Sequence, residues 1–227
     1  MRDFPTICIA GKNSIAIKGL EYCLKKHSKS EIVFLPNSLD DGIDKWQKSF
    51  KRYGEKNGLE EVSISKLYEI ENLIFFSLEF SDLISTKKFK SKKLFNIHFS
   101  LLPSYKGMYT SAHPLLNGEV KSGVTIHRIN DGIDTGDIID QIEFKIDIND
   151  TARDLYLKYL KYSEKLFINC ADKIIKNNYT SKKQSALFSS YYSIKSIDYK
   201  SLKIDLNKTA FEIHNQYRAF NFREYQM

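Results

Sequence analysis

Short apolar runs alternate with amphipathic stretches through the first hundred residues. Phe4–Ala10 (FPTICIA) is apolar and closes on Gly11, and an amphipathic stretch follows from Ser14 to about Lys26. Glu31–Leu35 (EIVFL), Leu73–Ser77 (LIFFS) and Leu94–His98 (LFNIH) repeat the strand signal. A helix-like stretch over about Asp44–Lys56 carries the only tryptophan, Trp46. Short apolar runs bounded by turn formers suit strands buried on both faces. Their alternation with helical stretches predicts a Rossmann-like parallel sheet with helices on both faces.

The pattern changes further on. Val124–Ile129 and Ile138–Phe144 read as two more strands, joined by the turn-rich Asn130-Asp131-Gly132 and Asp134-Thr135-Gly136. Asp150 and Thr151 can cap a long helix running to about Lys176. Along it Leu155, Tyr159, Tyr162, Leu166, Cys170 and Ile174 recur at spacings of three and four, an apolar face that reads as core packing. After Asn177-Asn178 the chain is rich in Ser, Lys and Tyr, then aromatic and basic from Tyr217 to Tyr225. A boundary near residue 178 divides a main domain, 1–177, from a small C-terminal subdomain, 178–227.

Composition narrows the class. A chain of 227 residues, 42% hydrophobic and 28% charged, can bury one sizeable core and a small appended unit. No run of about 18 apolar residues predicts a membrane span, and the N-terminus lacks the apolar h-region of a signal peptide. Cys8, Cys23 and Cys170 are odd in number, widely spaced and in apolar contexts, as expected of buried free thiols in a reducing cytoplasm. None forms a CxxC pair and no His/Cys cluster has metal-ligand spacing, so no structural metal is expected. Thirty-five Lys+Arg against 28 Asp+Glu give +7. The lysines are scattered, which suits solvated faces or a small polyanion such as a nucleotide diphosphate as well as nucleic acid.

In an open α/β sheet, ligands bind beyond the carboxyl ends of the strands. Four segments are expected to leave their strands at that edge: Gly11–Ser14, Ser77–Phe80, Asn96–His98 and the Asn130–Gly136 turn. Asn96 and His98 are two apart at a strand end, so their side chains share a face. An amide donor beside an imidazole suits acyl transfer, the amide serving a developing oxyanion and the imidazole moving a proton. Asp134, on a glycine-flanked turn, could fix the tautomer of that imidazole. Singly, such residues are more often turn or capping groups. The Gly11 loop is an ordinary βα turn, neither GxGxxG nor a Walker A loop. His113 is the one other histidine of interest; His27, His127 and His214 have weaker cases.

Two segments resemble a known family. Asn96-Ile97-His98-Phe99-Ser100-Leu101-Leu102-Pro103, with Tyr105-Lys106-Gly107, resembles the signature of the formyltransferases that use N10-formyltetrahydrofolate. Gly123-Val124-Thr125-Ile126-His127, leading to Asp131-Gly132-Ile133-Asp134-Thr135-Gly136-Asp137, resembles the second motif of that family. Phe99 stands where many members have Pro, a variant of the branch that formylates amino groups on dTDP-linked dideoxy sugars. Gly11-Lys12-Asn13, Ser77–Phe80, Gly107–Ser111 with His113-Pro114-Leu115, and Arg218–Gln226 resemble that branch further.

The resemblance implies a Rossmann-like fold and a catalytic group of Asn96, His98 and Asp134. It implies a pterin pocket lined by Ser77, Leu78, Glu79, Phe80, Asn130, Asp131, Gly132 and Thr135. Lys12, Asn13, Met108, Tyr109, Thr110 and His113 would meet the sugar nucleotide. In the tail, Arg218 would hold the diphosphate, while Phe220, Asn221, Phe222 and Tyr225 would hold the base by stacking and hydrogen bonding. The implied co-substrate is N10-formyltetrahydrofolate and the implied acceptor is dTDP-4-amino-4,6-dideoxyglucose, with the 3-amino isomer as alternative. A cytoplasmic homodimer serving surface polysaccharide synthesis, with no membrane or nucleic-acid partner, completes the expectation. Members of the branch continue for a short stretch beyond such a tail, so an end at Met227 is either a natural short form or a clipped one. Glycinamide ribonucleotide and methionyl-tRNA formyltransferases, a formyltetrahydrofolate hydrolase, and a non-catalytic nucleotide-binding or nucleic-acid-binding module are the competing readings.

Overall fold

The apolar runs come together as one seven-stranded sheet in a computed structural model that describes residues 4–222. In chain order the strands and helices are β1 (Thr6–Gly11), α1 (Asn13–Lys26), β2 (Ile32–Pro36), α2 (Phe50–Lys56), β3 (Glu60–Glu61), α3 (Ile64–Tyr68), β4 (Leu73–Leu78), β5 (Lys93–His98), β6 (Lys106–Gly107), α4 (His113–Leu116), β7 (Lys121–Arg128), β8 (Ile138–Lys145), α5 (Ala152–Ile175), β9 (Tyr191–Tyr192) and α6 (Ala210–Ala219). The large sheet runs β3-β2-β1-β4-β5-β7-β8, and β6 pairs with β9 in a separate small sheet. β1 to β5 are parallel where they pair, as the near-continuous burial of β1, β2 and β4 leads one to expect. Strand order reverses between β1 and β4, which opens a crevice at their carboxyl ends. Gly11 is required there: a Cβ would lie 1.9 Å from the Leu78 carbonyl oxygen.

Both faces of the sheet are covered. One apolar cluster joins Ile7, Ile9, Phe76 and Phe95 to Leu20 of α1 and to Leu155, Tyr159, Leu166 and Phe167 of α5. The other joins Cys8, Val33, Phe75 and Leu94 to Leu67 of α3. α5 begins at a capping box of Thr151 and Asp154 and keeps its expected stripe buried, apart from the half-buried Tyr162. Burial pushes the thiols of Cys23 and Cys170 up to about 12, and Asp140 beside Cys170 adds to the effect. These are packing residues. No helix among the described residues is long and apolar enough to cross a membrane.

Three expectations need correction. β7 and β8 run antiparallel to their neighbours, so the sheet is mostly, not wholly, parallel. Because β7 is reversed, its carboxyl end lies level with Phe95, and the Asn130–Gly136 turn leaves at the opposite edge from the ends of β1, β4 and β5. The helix expected from Asp44 starts only at Phe50, capped by the Ser49 side chain. Short acids occupy the donors ahead of it: Asp44 accepts from the Ser49 N–H, and Asp40 accepts from the Lys51 N–H and the Ser49 hydroxyl. Trp46 therefore sits on a loop.

Candidate active site

Asn96 and His98 point to one face of β5, and the antiparallel register sets His127 of β7 directly opposite Asn96. Although the 129–137 loop leaves at the far edge, it folds back over this face and delivers Asp134 to all three side chains. Asp134 Oδ2 lies 3.4 Å from His98 Nδ1, and Oδ1 lies 3.4 Å from Asn96 Nδ2 and 3.5 Å from His127 Nε2. Asn96 Nδ2 is also 3.1 Å from His127 Nε2. His127 Nδ1 donates to the Arg128 carbonyl at 2.8 Å, so its Nε2 can accept from the Asn96 amide. His98 Nε2 donates to the Tyr105 carbonyl at 2.7 Å, which turns Nδ1 towards Asp134.

The loop before and through β6 holds this group from above. The Gly107 N–H donates to Asp134 Oδ2 at 2.9 Å. Burial works against the charged form of Asp134, but His98, His127 and that N–H outweigh it and hold the carboxyl well below the usual carboxylate range. Gly107 (φ +84°) is also where β9 comes closest, since a Cβ there would stand 2.3 Å from the Tyr192 carbonyl oxygen. Among the described residues seven non-glycines have positive φ, and five of them lie at the expected site: Glu79, Tyr105, Tyr109 and Asp134 on loops and Asn13 at the start of α1. Such backbone persists only where its surroundings over-determine it, and it gathers at functional sites.

The two loops expected around the pterin meet each other. Thr86 hydrogen-bonds Asp131, and Lys87 Nζ lies 3.7 Å from the same carboxylate. Asn130 Oδ1 accepts from the Gly132 N–H and the Thr135 hydroxyl, which shapes the turn leading to Asp134. Phe80, Ile84 and Ile129 on these loops are half-buried and pack against the second apolar cluster, and Ser77 is buried near the end of β4. Glu79 departs from this picture, because its carboxylate accepts from Tyr156 Oη at 2.9 Å.

That tyrosine borders a second feature. A cleft of about 190 Å³ lies at the ends of β1 and β2, where Lys12, Asn13, Asn37, Trp46, Gln47 and Lys48 line it, and it includes none of the Asn96 group. Tyr156 Oη accepts from Gln47 Nε2 at 2.9 Å and from Asn13 Nδ2 at 3.3 Å, tying three loops together.

Residues 47–170 match the model of the formyl transferase family. The chain belongs to that family. It is 54% identical, with a TM-score of 0.95, to WlaRD, a sugar 3N-formyl transferase crystallised in the presence of dTDP and 5-N-formyl-THF; 98% of this chain and 81% of that one are covered. It is 52% identical, again with a TM-score of 0.95, to the N-formyltransferase from Helicobacter canadensis in complex with folinic acid and dTDP-3-aminofucose, covering 98% of this chain and 82% of that one. It is also 35% identical over 158 residues to the bifunctional polymyxin resistance protein ArnA of Wigglesworthia glossinidia brevipalpis, a match covering 69% of this chain and 24% of that protein.

Within this formyl transferase chain the remaining expected residues are dispersed. Met108 is 45% exposed on the loop beyond Gly107. Tyr109 Oη donates to the Ile194 carbonyl, and the Thr110 carbonyl accepts from Tyr159. His113 is buried, its ring 3.7 Å from that of Tyr192 and its Nε2 2.8 Å from Ser196 Oγ; burial pushes it down to about 4. Arg218 has a structural setting. It is 3% exposed and donates to Asn215 Oδ1 and to the carbonyls of Asp147 and Asp150, so its charge braces the turn before α5. Phe220 and Asn221 are half-buried, Phe220 edge-on to Tyr199. Phe222 is 2% exposed, packed against Trp46 and Tyr156, and has no open face for a base. Tyr225 lies outside the described residues.

Sequence reasoning missed Trp46, Tyr156 and Gln184, and it ranked His127 too low. Tyr156 was hidden one position from the apolar stripe of α5, and the register opposite Asn96 that selects His127 is absent from sequence.

Proposed function

We propose that this chain moves a formyl group from N10-formyltetrahydrofolate to the amine of a dTDP-linked amino-dideoxy sugar, and that the amine is on sugar C3. The observation carrying the reading is the meeting of Asn96, His98 and Asp134 on one face of β5 in a formyl transferase family member. The acceptor class is supported by the two relatives at 54% and 52% identity, whose descriptions name a 3N-formyl transferase and dTDP-3-aminofucose. On that support the proposal takes the 3-amino isomer in place of the 4-amino sugar expected from sequence.

The folate would supply an activated formyl carbon. The residues present fit it: half-buried Phe80, Ile84 and Ile129 put apolar surface on the two loops that meet through Thr86 and Asp131, which suits a flat pterin, and the second of these loops leads to Asp134. Asn96 donates to the formyl oxygen as charge builds there. Its contact to Asp134 is 3.4 Å, near the outer limit of a hydrogen bond, so that hydrogen is the one released. His98 takes the proton from the attacking amine and delivers it to the departing nitrogen, as the new C–N bond forms and the old one breaks. Asp134 keeps the ring turned for both steps.

In the same proposal the cleft receives the nucleotide, with Lys12 and Lys48 near the diphosphate and Trp46 beneath the base. Residues 1–177 carry the chemistry and 178–227 form a small subdomain that supports nucleotide binding through Phe222. The reading extends to a cytoplasmic homodimer that supplies formylated sugar for a surface polysaccharide such as O-antigen.

The test is turnover with N10-formyltetrahydrofolate and four acceptors, scored by product mass: the dTDP-3-amino and dTDP-4-amino sugars, glycinamide ribonucleotide and charged initiator tRNA. Formylation of the 3-amino sugar with at least tenfold higher kcat/KM than its isomer is expected. Preference for the 4-amino sugar would overturn the regiochemistry, and preference for either of the last two acceptors would overturn the sugar reading.

A further inference from the structure

The turn that carries Asp134 is held by a side chain from beyond α5. Gln184 Nε2 donates to the Asp134 carbonyl and to the Gly136 carbonyl, both at 2.8 Å. One amide group thus spans the turn, with a hydrogen for each oxygen. Two residues earlier, Lys182 pairs with Ile138 through two backbone hydrogen bonds of 2.8 Å, which anchors the segment against the start of β8. Gln184 Oε1 is buried without a partner, so the side chain is committed to its donor end.

The same segment then reaches the other loop that grips the acid. The Lys106 N–H donates to the Ser190 carbonyl at 2.9 Å, and the Met108 N–H to the Tyr192 carbonyl at 2.8 Å. The Tyr105 N–H donates to Ser190 Oγ at 2.8 Å, while the rings of Tyr105 and Tyr192 stack 5.7 Å apart. Tyr105 and Gly107 are the residues whose backbone holds His98 and Asp134. Residues 182–192 therefore clamp both loops that meet at the catalytic carboxylate.

We propose that Gln184 is a positioning residue for the reaction, holding the left-handed turn at Asp134 so that its carboxylate faces His98. Asp134 sits at φ +52°, a left-handed conformation that is uncommon for non-glycine residues although Asp tolerates it better than most. Its contacts to Asn96, His98 and His127, at 3.4–3.5 Å, leave no slack for the turn to drift. Losing the amide donors frees two carbonyls and lets the turn relax to right-handed backbone, which carries the carboxylate off the imidazole. Misplacement of a catalytic group on this scale costs rate far more than it costs affinity.

The inference rests on the proposed catalytic group, and the experiment separates the two. Gln184→Leu removes the donors at similar size, and Gln184→Glu places an acceptor against two carbonyls. Both are assayed beside the parent and Asp134→Asn, with dTDP-3-amino sugar and N10-formyltetrahydrofolate. Both Gln184 variants should lose about tenfold or more in kcat, Gln184→Glu the more, with KM for each substrate within about twofold of the parent. The groups facing Asp134 are His98, His127, the Asn96 amide and the Gly107 N–H, and they hold its carboxyl low. As the turn loosens, the carboxylate leaves the imidazole that it orients, so kcat falls while both substrates still bind. A packing defect would lower the melting temperature and the amount of active protein while kcat per folded protein stayed near that of the parent. The inference is overturned if kcat per folded protein stays within twofold of the parent in both variants, or if KM rises in step with the fall in kcat. An active Asp134→Asn would instead overturn the catalytic assignment.

Discussion

The corner proposed for catalysis and the cleft proposed for the nucleotide lie on one sheet but are built in opposite ways. At the corner, the side chains of His98, Asp134 and His127 are 8%, 13% and 3% exposed, and each has several partners drawn from β5, β7 and the Tyr105–Gly107 loop. Around the cleft, Leu39, Ile43 and Trp46 are 90%, 62% and 37% exposed on a loop whose polar groups mostly satisfy one another. Charge that must develop at a fixed point needs donors whose positions are already set. A base and diphosphate can be met by a loop that adapts. Breaking the corner should therefore cost turnover, and breaking the cleft should cost affinity.

The largest effect should come from Asn96→Ala. It removes the amide proposed to meet the formyl oxygen and should lower kcat by about a hundredfold or more, with KM for the sugar nucleotide little changed. Steady-state kinetics on the 3-amino acceptor decide it, and turnover within tenfold of the parent would sink the assignment of Asn96.

The unequal legibility of the two regions has the same origin. Asn96 and His98 could be placed from sequence because a strand of period two fixes two side chains on one face. The apolar runs of β1, β2, β4 and β5 were equally plain, since strands buried on both sides carry no alternation to confuse them. The direction of β7 was not readable. Apolar residues at Val124 and Ile126 serve a parallel or an antiparallel neighbour equally, so the exit edge of the Asp134 turn was misplaced and His127 was passed over. The cleft was harder still. Trp46 read as a helical residue because Asp40, Asp44 and Ser49, which divert the backbone donors there, look like ordinary helix-start residues. In the tail, the basic and aromatic residues resembled a binding surface, yet Arg218 and Phe222 are interior, and Phe222 supports the ring that faces the cleft.

That last relation sharpens the comparison. Trp46→Ala should raise KM for the sugar nucleotide about tenfold while kcat stays within about twofold, because stacking of a base on an aromatic ring is worth about 1–3 kcal/mol. Retention of near-parent KM in Trp46→Phe would tie the effect to the ring. An unchanged KM in Trp46→Ala would move the base elsewhere in the cleft.

The smallest expected effect tests how the cleft is fastened. Tyr156 Oη donates to Glu79 and accepts from Gln47 and Asn13, so one hydroxyl joins the loops after β4, before α2 and after β1. Tyr156→Phe keeps the ring against Phe99, Trp46 and Phe222 and removes only that atom. A net hydrogen bond contributes about 1 kcal/mol, and one to a charged group somewhat more, so the variant should lose about 1–3 kcal/mol. For a chain of this size the lower part of that range lowers Tm by about 2–4 °C. Because Gln47 and Asn13 line the cleft, KM for the sugar nucleotide should rise about two- to fivefold. A Tyr156→Phe variant that lost turnover but kept its KM would mean that the two regions are mechanically one.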